Sequence, residues 1–162
     1  MADDPFTQVH NAIWTALETE ATLATLVVAG NRIKFNKTTE TDPRKENVQD
    51  GDLPELILVP AGDNITLYET TTGARILQKY TLMLTTGSLR ANGILFPVKW
   101  AVIKALLTSS IALLSKTFVR NLIVEETDDG LDGEESRGAG GWNSNVSIVV
   151  EMGFGHDEII AW

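Results

Sequence analysis

Two imidazoles, His10 and His156, and no thiol are available to this chain for nucleophilic or metal chemistry. A hydrolase triad or a two-histidine metal site would need both rings to meet, together with a third group. His10 falls on the polar side of the first predicted helix and His156 in the C-terminal stretch, and no spacing joins them. The sequence has no Gly-x-Ser-x-Gly elbow, no P-loop, no Gly-x-Gly-x-x-Gly after a strand and no His-Glu-x-x-His. His156-Asp157-Glu158 puts three ligand types in a row, yet a metal site needs more ligands than this, so it reads as an exposed polar stretch.

Carboxylates are the one abundant reactive group. Glu125, Glu126, Asp128, Asp129, Asp132, Glu134 and Glu135 fall within one short segment. Calcium favours such a set of oxygens. The EF-hand pattern fails, because counting from Asp128 puts Gly130 at the third position and Ala139 at the twelfth. A solvated, self-repelling loop is the reading the spacing favours. A third reading has the loop facing a lumen and repelling a polyanion. Paired carboxylates for glycoside chemistry depend on a spatial distance that spacing does not give, and only 7% of residues are aromatic to line such a site.

The densest bases are Lys34, Lys37, Arg44 and Lys45, interleaved with Glu40, Asp42 and Glu46. This mixed surface suits protein contacts better than a phosphate track. Ile159, Ile160, Ala161 and Trp162 form an apolar stretch after Gly153 and Gly155. It predicts docking on this domain or on a neighbour, where Trp162 would serve as an anchor.

These residues must be positioned by a small set of elements. Asp4 and Pro5 are a good N-cap and first helical residue. Phe6, Val9, Ile13 and Leu17 then share one face, predicting a helix that ends before Leu23. Arg32–Phe35 reads as a short strand, and Asn36–Asp52 as a long charged loop. Leu56–Val59 is an apolar run between prolines, predicting a strand buried on both faces. Ile65–Tyr68 is a weaker strand candidate. After a turn at Thr70–Gly73, a long strand covers Arg75–Thr86. A second helix runs from Pro97 to about Leu107, where Trp100, Ile103 and Leu107 widen the apolar face, so it is predicted to be buried over most of its circumference. Phe118–Glu125 alternates as a strand, Glu126–Gly141 reads as a second long, glycine-rich loop, and Trp142–Phe154 is the clearest strand. The order predicts a single α+β domain over residues 1–162, with a mostly antiparallel sheet of four to five strands and two helices packed on one face.

The composition agrees with that reading. The chain has 162 residues, 43% of them apolar, and a net charge of −9. That length fits one domain with one real core. The acidic balance makes nucleic-acid binding over the whole surface an unsuitable role. Absence of cysteine suits a reducing compartment. The acidic first residues predict no signal peptide. Uncharged stretches such as Ala21–Asn31 and Ala105–Ser115 are too short to span a bilayer.

The arrangement of an early N-terminal helix, a long charged loop, a short apolar strand ending Pro60-Ala61-Gly62, the strand Arg75–Thr86, a helix from Pro97 and two final strands around an acidic loop resembles the tail terminator, or tail completion, proteins of long-tailed phages. The resemblance is architectural and covers nearly the whole chain. It implies a hexameric ring at the head–tail junction that caps the tail tube, stops tube polymerisation and joins the tail to the head connector. It implies partners in the tube protein and the connector or stopper, and DNA passing through the lumen without sequence-specific binding. It implies a virion protein assembled in the host cytoplasm, with no membrane, cofactor, metal or catalytic residue. The long loops 36–52 and 126–141 would then face neighbours or the lumen; the candidate contact residues in them and in the segment 155–162 are Arg44, Lys45, Asp128, Asp129, Asp132, Glu134, Glu135 and Trp162, none of them carried over from the family. An acidic lumen repels DNA phosphates and lets DNA slide. The alternatives are another phage neck, tube or baseplate protein and, in a different class, a calcium-binding module or carboxylate enzyme built on residues 125–135.

Overall fold

The computed structural model describes residues 4–34, 53–68, 73–86, 95–114, 116–132 and 141–155. Helix α1 covers Pro5–Thr19 and is capped as its sequence demands: Asp4 accepts from the Thr7 amide, and Pro5 opens the first turn. The chain breaks at Glu20, whose extended backbone ends α1, and Glu20 then caps the short helix α2, Ala21–Leu26. A 3₁₀ turn, Ala29–Asn31, delivers the chain to strand β1, Arg32–Lys34.

Strands β2 (Glu55–Tyr68), β3 (Gly73–Thr86), β4 (Val119–Asp132) and β5 (Gly141–Phe154) are each long. Together with β1 they form one five-stranded sheet in the order β1-β2-β3-β5-β4. Only β1 runs parallel to its neighbour; the other pairs are antiparallel. The fold is therefore a single α+β domain with a mostly antiparallel sheet.

One face of the sheet carries the core. Leu56 and Leu58 of β2, Tyr80, Leu82 and Leu84 of β3, and Val146, Ile148, Val150 and Met152 of β5 pack against Val9, Ile13 and Leu17 of α1, Leu23 of α2, and the inner side of helix α3, Leu95–Leu114. Full burial of each Leu, Ile or Val contributes roughly 1.5–3 kcal/mol. Strand alternation puts Ile57 and Val149 on the opposite face, where both are also buried. The apolar run at Leu56–Leu58 is thus buried on both faces, as its composition predicts.

Four expectations need correction. Residues 126–132 are not loop: they continue β4 and pair with 141–147 of β5. Asp and Gly are poor strand formers, but the ladder offered by β5 outweighs local preference. Ile65–Tyr68 is not a separate weak strand. It is the far half of β2, joined across a bulge between Pro60 and Gly62, where Gly62 adopts φ 113°. Helix α3 starts at Leu95 and runs through Ser109-Ser110 to Leu114, longer than its apolar pattern predicts. It is also not buried over most of its circumference: Phe96, Trp100 and Leu107 are exposed.

Candidate functional site

The residues singled out for contacts fall into two groups. Arg44, Lys45, Glu134, Glu135 and Trp162 lie outside the described residues. Asp128, Asp129 and Asp132 are held by their backbone in β4, in register with Asn145, Ser144 and Gly141. Among the described residues no group of three or more His, Asp or Glu could hold a metal ion. Of the basic cluster, Lys34 is turned inward, with its ammonium donating to the Asn11 side chain of α1. Arg32 beside it donates to the Glu18 carbonyl at 2.8 Å. These bases fasten β1 to α1. His10 is half-buried and stacks on Tyr80, with ring centroids 5.6 Å apart, so it faces the sheet and not the polar side expected for it. Burial raises the Tyr80 hydroxyl well above the usual phenol range, with the Asp4 charge adding to it.

The helical layer is tied at Glu20. One carboxylate oxygen accepts from the Leu23 amide, and the other meets Lys104 Nζ at 3.1 Å. Burial pushes this carboxyl upward, but the Leu23 amide and Lys104 together hold it below its ordinary value. Beside this pair, α1 and α3 leave a cleft of about 610 Å³ whose lining mixes alanines, among them Ala12, Ala16 and Ala105, with Thr15, Thr19 and Thr108. At the other end of the helices, Lys116 donates to Gln8 at 3.1 Å.

No described helix packs on the opposite face of the sheet. At one end of that face Arg75 Nε donates to Glu151 at 2.7 Å. Arg120 is the extra residue of a bulge in β4 and lies against Gly153, so that a Cβ on Gly153 would stand 3.0 Å from Arg120 Nε. Toward the middle, Lys79, Val149 and Ile123 form one cross-strand row, with Ile123 exposed. The β4 border beyond it carries exposed Glu125, followed by Glu126 opposite Ser147 and Asp128 opposite Asn145. Among the described side chains, this face therefore carries the Arg75–Glu151 pair and Arg120 at one end and Lys79, Val149 and Ile123 in the middle.

The surface that sequence reasoning missed is the outer side of α3. Phe96, Trp100 and Leu107 are 68%, 63% and 59% exposed, and Ile103 between them is half-buried. The residues were visible in the sequence, but apolarity alone does not separate a core position from an interface position. A usable signal was present: Phe96, Trp100, Ile103 and Leu107 recur at helical spacing on the side opposite Val98, Ala101, Val102 and Ala105.

No protein-family model matches the chain, and no curated relative matches it. Among solved structures, a chain of the virion of a native gene transfer agent particle superposes with a TM-score of 0.54. The alignment covers 91% of this chain and 94% of that chain at 12% identity. This chain therefore shares its overall fold, over most of its length, with a protein found in a virion particle.

Proposed function

We propose that this chain is a structural component of a phage-like virion, placed at the head–tail junction as a ring-forming tail terminator. The observation that carries the reading is the near full-length fold match to a component of a gene transfer agent virion, covering more than nine-tenths of both chains. Two physical features support it. The outer side of α3 leaves a line of large apolar side chains in water, which marks an interaction surface. The net charge of −9 suits a ring whose channel passes DNA without holding it. The role needs no chemical step: the chain would act by shape, binding the tube end on one side and the head connector on the other.

Deleting the gene and imaging the products by electron microscopy tests this. A terminator predicts filled heads and separate tails, with tubes of irregular or excessive length, and the protein itself in finished particles. Normal joined particles in the deletion strain would sink the proposal. Joined particles with a defective distal end would move the role to the baseplate.

A further inference from the structure

The helix-free face of the sheet gathers positive charge at one end. Met152 and Phe154 of β5 turn into the core, so strand alternation turns Glu151 and Gly153 to the other side. Arg75 stands opposite Gly153 in the β3–β5 ladder. Arg120 reaches the same glycine from β4, and its Nε lies 3.0 Å from where a Cβ on Gly153 would be. Two guanidinium side chains thus flank one residue, and that residue has no side chain to keep them apart. Both line a cavity of about 350 Å³ together with Glu151.

The charges in this cavity do not balance. Glu151 is engaged by Arg75, whose Nε donates to it at 2.7 Å. Arg120 is exposed, and no described carboxylate pairs with it. The lining therefore carries two positive charges against one negative. In a chain of net charge −9, such an excess is not a by-product of basic composition. Bulges re-aim side chains, and the bulge at Arg120 lays a second guanidinium beside the position of the first. Like charges held together repel, and one further carboxylate would restore balance. A guanidinium suits that group, because it offers two parallel N–H donors to the two oxygens. A phosphate group carries close to two charges at neutral pH and would overshoot.

We propose that Arg120, with the Arg75–Glu151 pair beside it, forms a binding site for a single carboxylate. The carboxylate has two sources. Gly155 lines the cavity, and Asp157 and Glu158 follow it in the sequence; an acidic side chain of another protein is the second source. The inference stands apart from the virion reading. Its test is nitrogen-15 NMR of the full chain, following the arginine Nε–H signals as sodium acetate replaces sodium chloride. The ionic strength stays at about 0.1 M, where the net charge of the chain is screened beyond about 10 Å. Acetate should move the Arg120 signal saturably, with a midpoint of roughly 10 mM, the affinity that a single charge-assisted fork contact supports. Read at Arg75, Arg120→Gln should weaken acetate binding about tenfold. Gly153→Ala keeps both charges but pushes Arg120 aside, and should weaken binding too. Backbone amide spectra report that each variant is folded.

A double variant, Asp157→Asn with Glu158→Gln, separates the sources. Acetate that binds it about tenfold more tightly than wild type, or saturates only in it, assigns the site to the chain's own acids, which compete from close range. Equal affinity in the two chains assigns the site to a carboxylate from another molecule. Absence of a saturable shift in both chains overturns the inference, as does an Arg120→Gln chain that responds to acetate as wild type does. Inorganic phosphate that binds about tenfold more tightly than acetate under the same conditions overturns the choice of carboxylate.

Discussion

Asp4 shows how one residue sets a boundary. Its carboxylate accepts from the Thr7 amide at 3.0 Å and from the Thr7 hydroxyl at 2.8 Å. The amide contact is the main reason its carboxyl titrates below the ordinary value. A depressed folded pKa means stability that is present above the unfolded pKa and is lost as pH falls through the folded one. Asp4→Ala should therefore cost about 1 kcal/mol at pH 7, the usual worth of an N-cap, and the gap to wild type should narrow in acid. Urea denaturation at pH 7 and pH 3 checks both points, and equal stability at pH 7 would show the cap to be idle. Two glycines make a second test at this scale. Gly62 has φ 113° with no atom near its missing Cβ, so Gly62→Ala should cost about 1–2 kcal/mol through backbone strain alone. Gly153 has no such backbone constraint, and the atom in the way is the flexible end of Arg120. Gly153→Ala should then cost less than Gly62→Ala, a ranking that thermal unfolding of the two variants would confirm or reverse.

At the scale of elements, β5 lies between β3 and β4 and is hydrogen-bonded on both sides, while β4 closes one edge of the sheet. Amide exchange should be slowest in the interior of β5, from Val146 to Val150, because local openings at an edge do not release it. The inward-facing amides of Thr127 to Gly130 should also be protected, which a solvated acidic loop would not allow; free exchange there would remove the strand. In the core, Leu82→Ala should cost about 2–5 kcal/mol, read by chemical denaturation. What the sequence revealed follows from these same elements. The start of α1, the buried run at Leu56–Leu58 and the alternation of β5 were legible because a cap, a bounding proline and a period of two are local signals. The far half of β4 was not, because Asp128, Asp129 and Gly130 have no strand preference of their own and are ordered by β5, their partner. The candidate interface was half legible. Trp100 and Leu107 were recognisable as buried in something, but only the packed structure shows that the something is not this chain's own core.

For the whole molecule, any self-association in the proposed ring would set the exposed apolar side chains of α3 against a charge of −9 on each copy that drives copies apart. The two effects differ in range. Repulsion between net charges acts over distances comparable with the size of the protein, whereas apolar contacts and close ion pairs act over a few ångströms. Salt at 0.1 M screens beyond about 10 Å, so it removes the repulsion first and leaves close pairs and apolar contacts largely in place. Self-association should therefore tighten several-fold between about 10 mM and 150 mM sodium chloride, the range over which the Debye length falls from about 30 Å to 8 Å. It should tighten further in ammonium sulfate, which strengthens apolar burial. DNA gives the opposite sign. A surface that bound phosphates through lysine and arginine would lose affinity steeply as salt rises, but this chain should show no mobility shift with duplex DNA at any salt concentration, because its summed field repels the polyanion before a local base can engage. Sedimentation across the same salt series, run with and without DNA, reads both effects together. Self-association that weakens steadily from the lowest salt upward would mean that exposed ion pairs, and not the α3 stripe, hold the copies together.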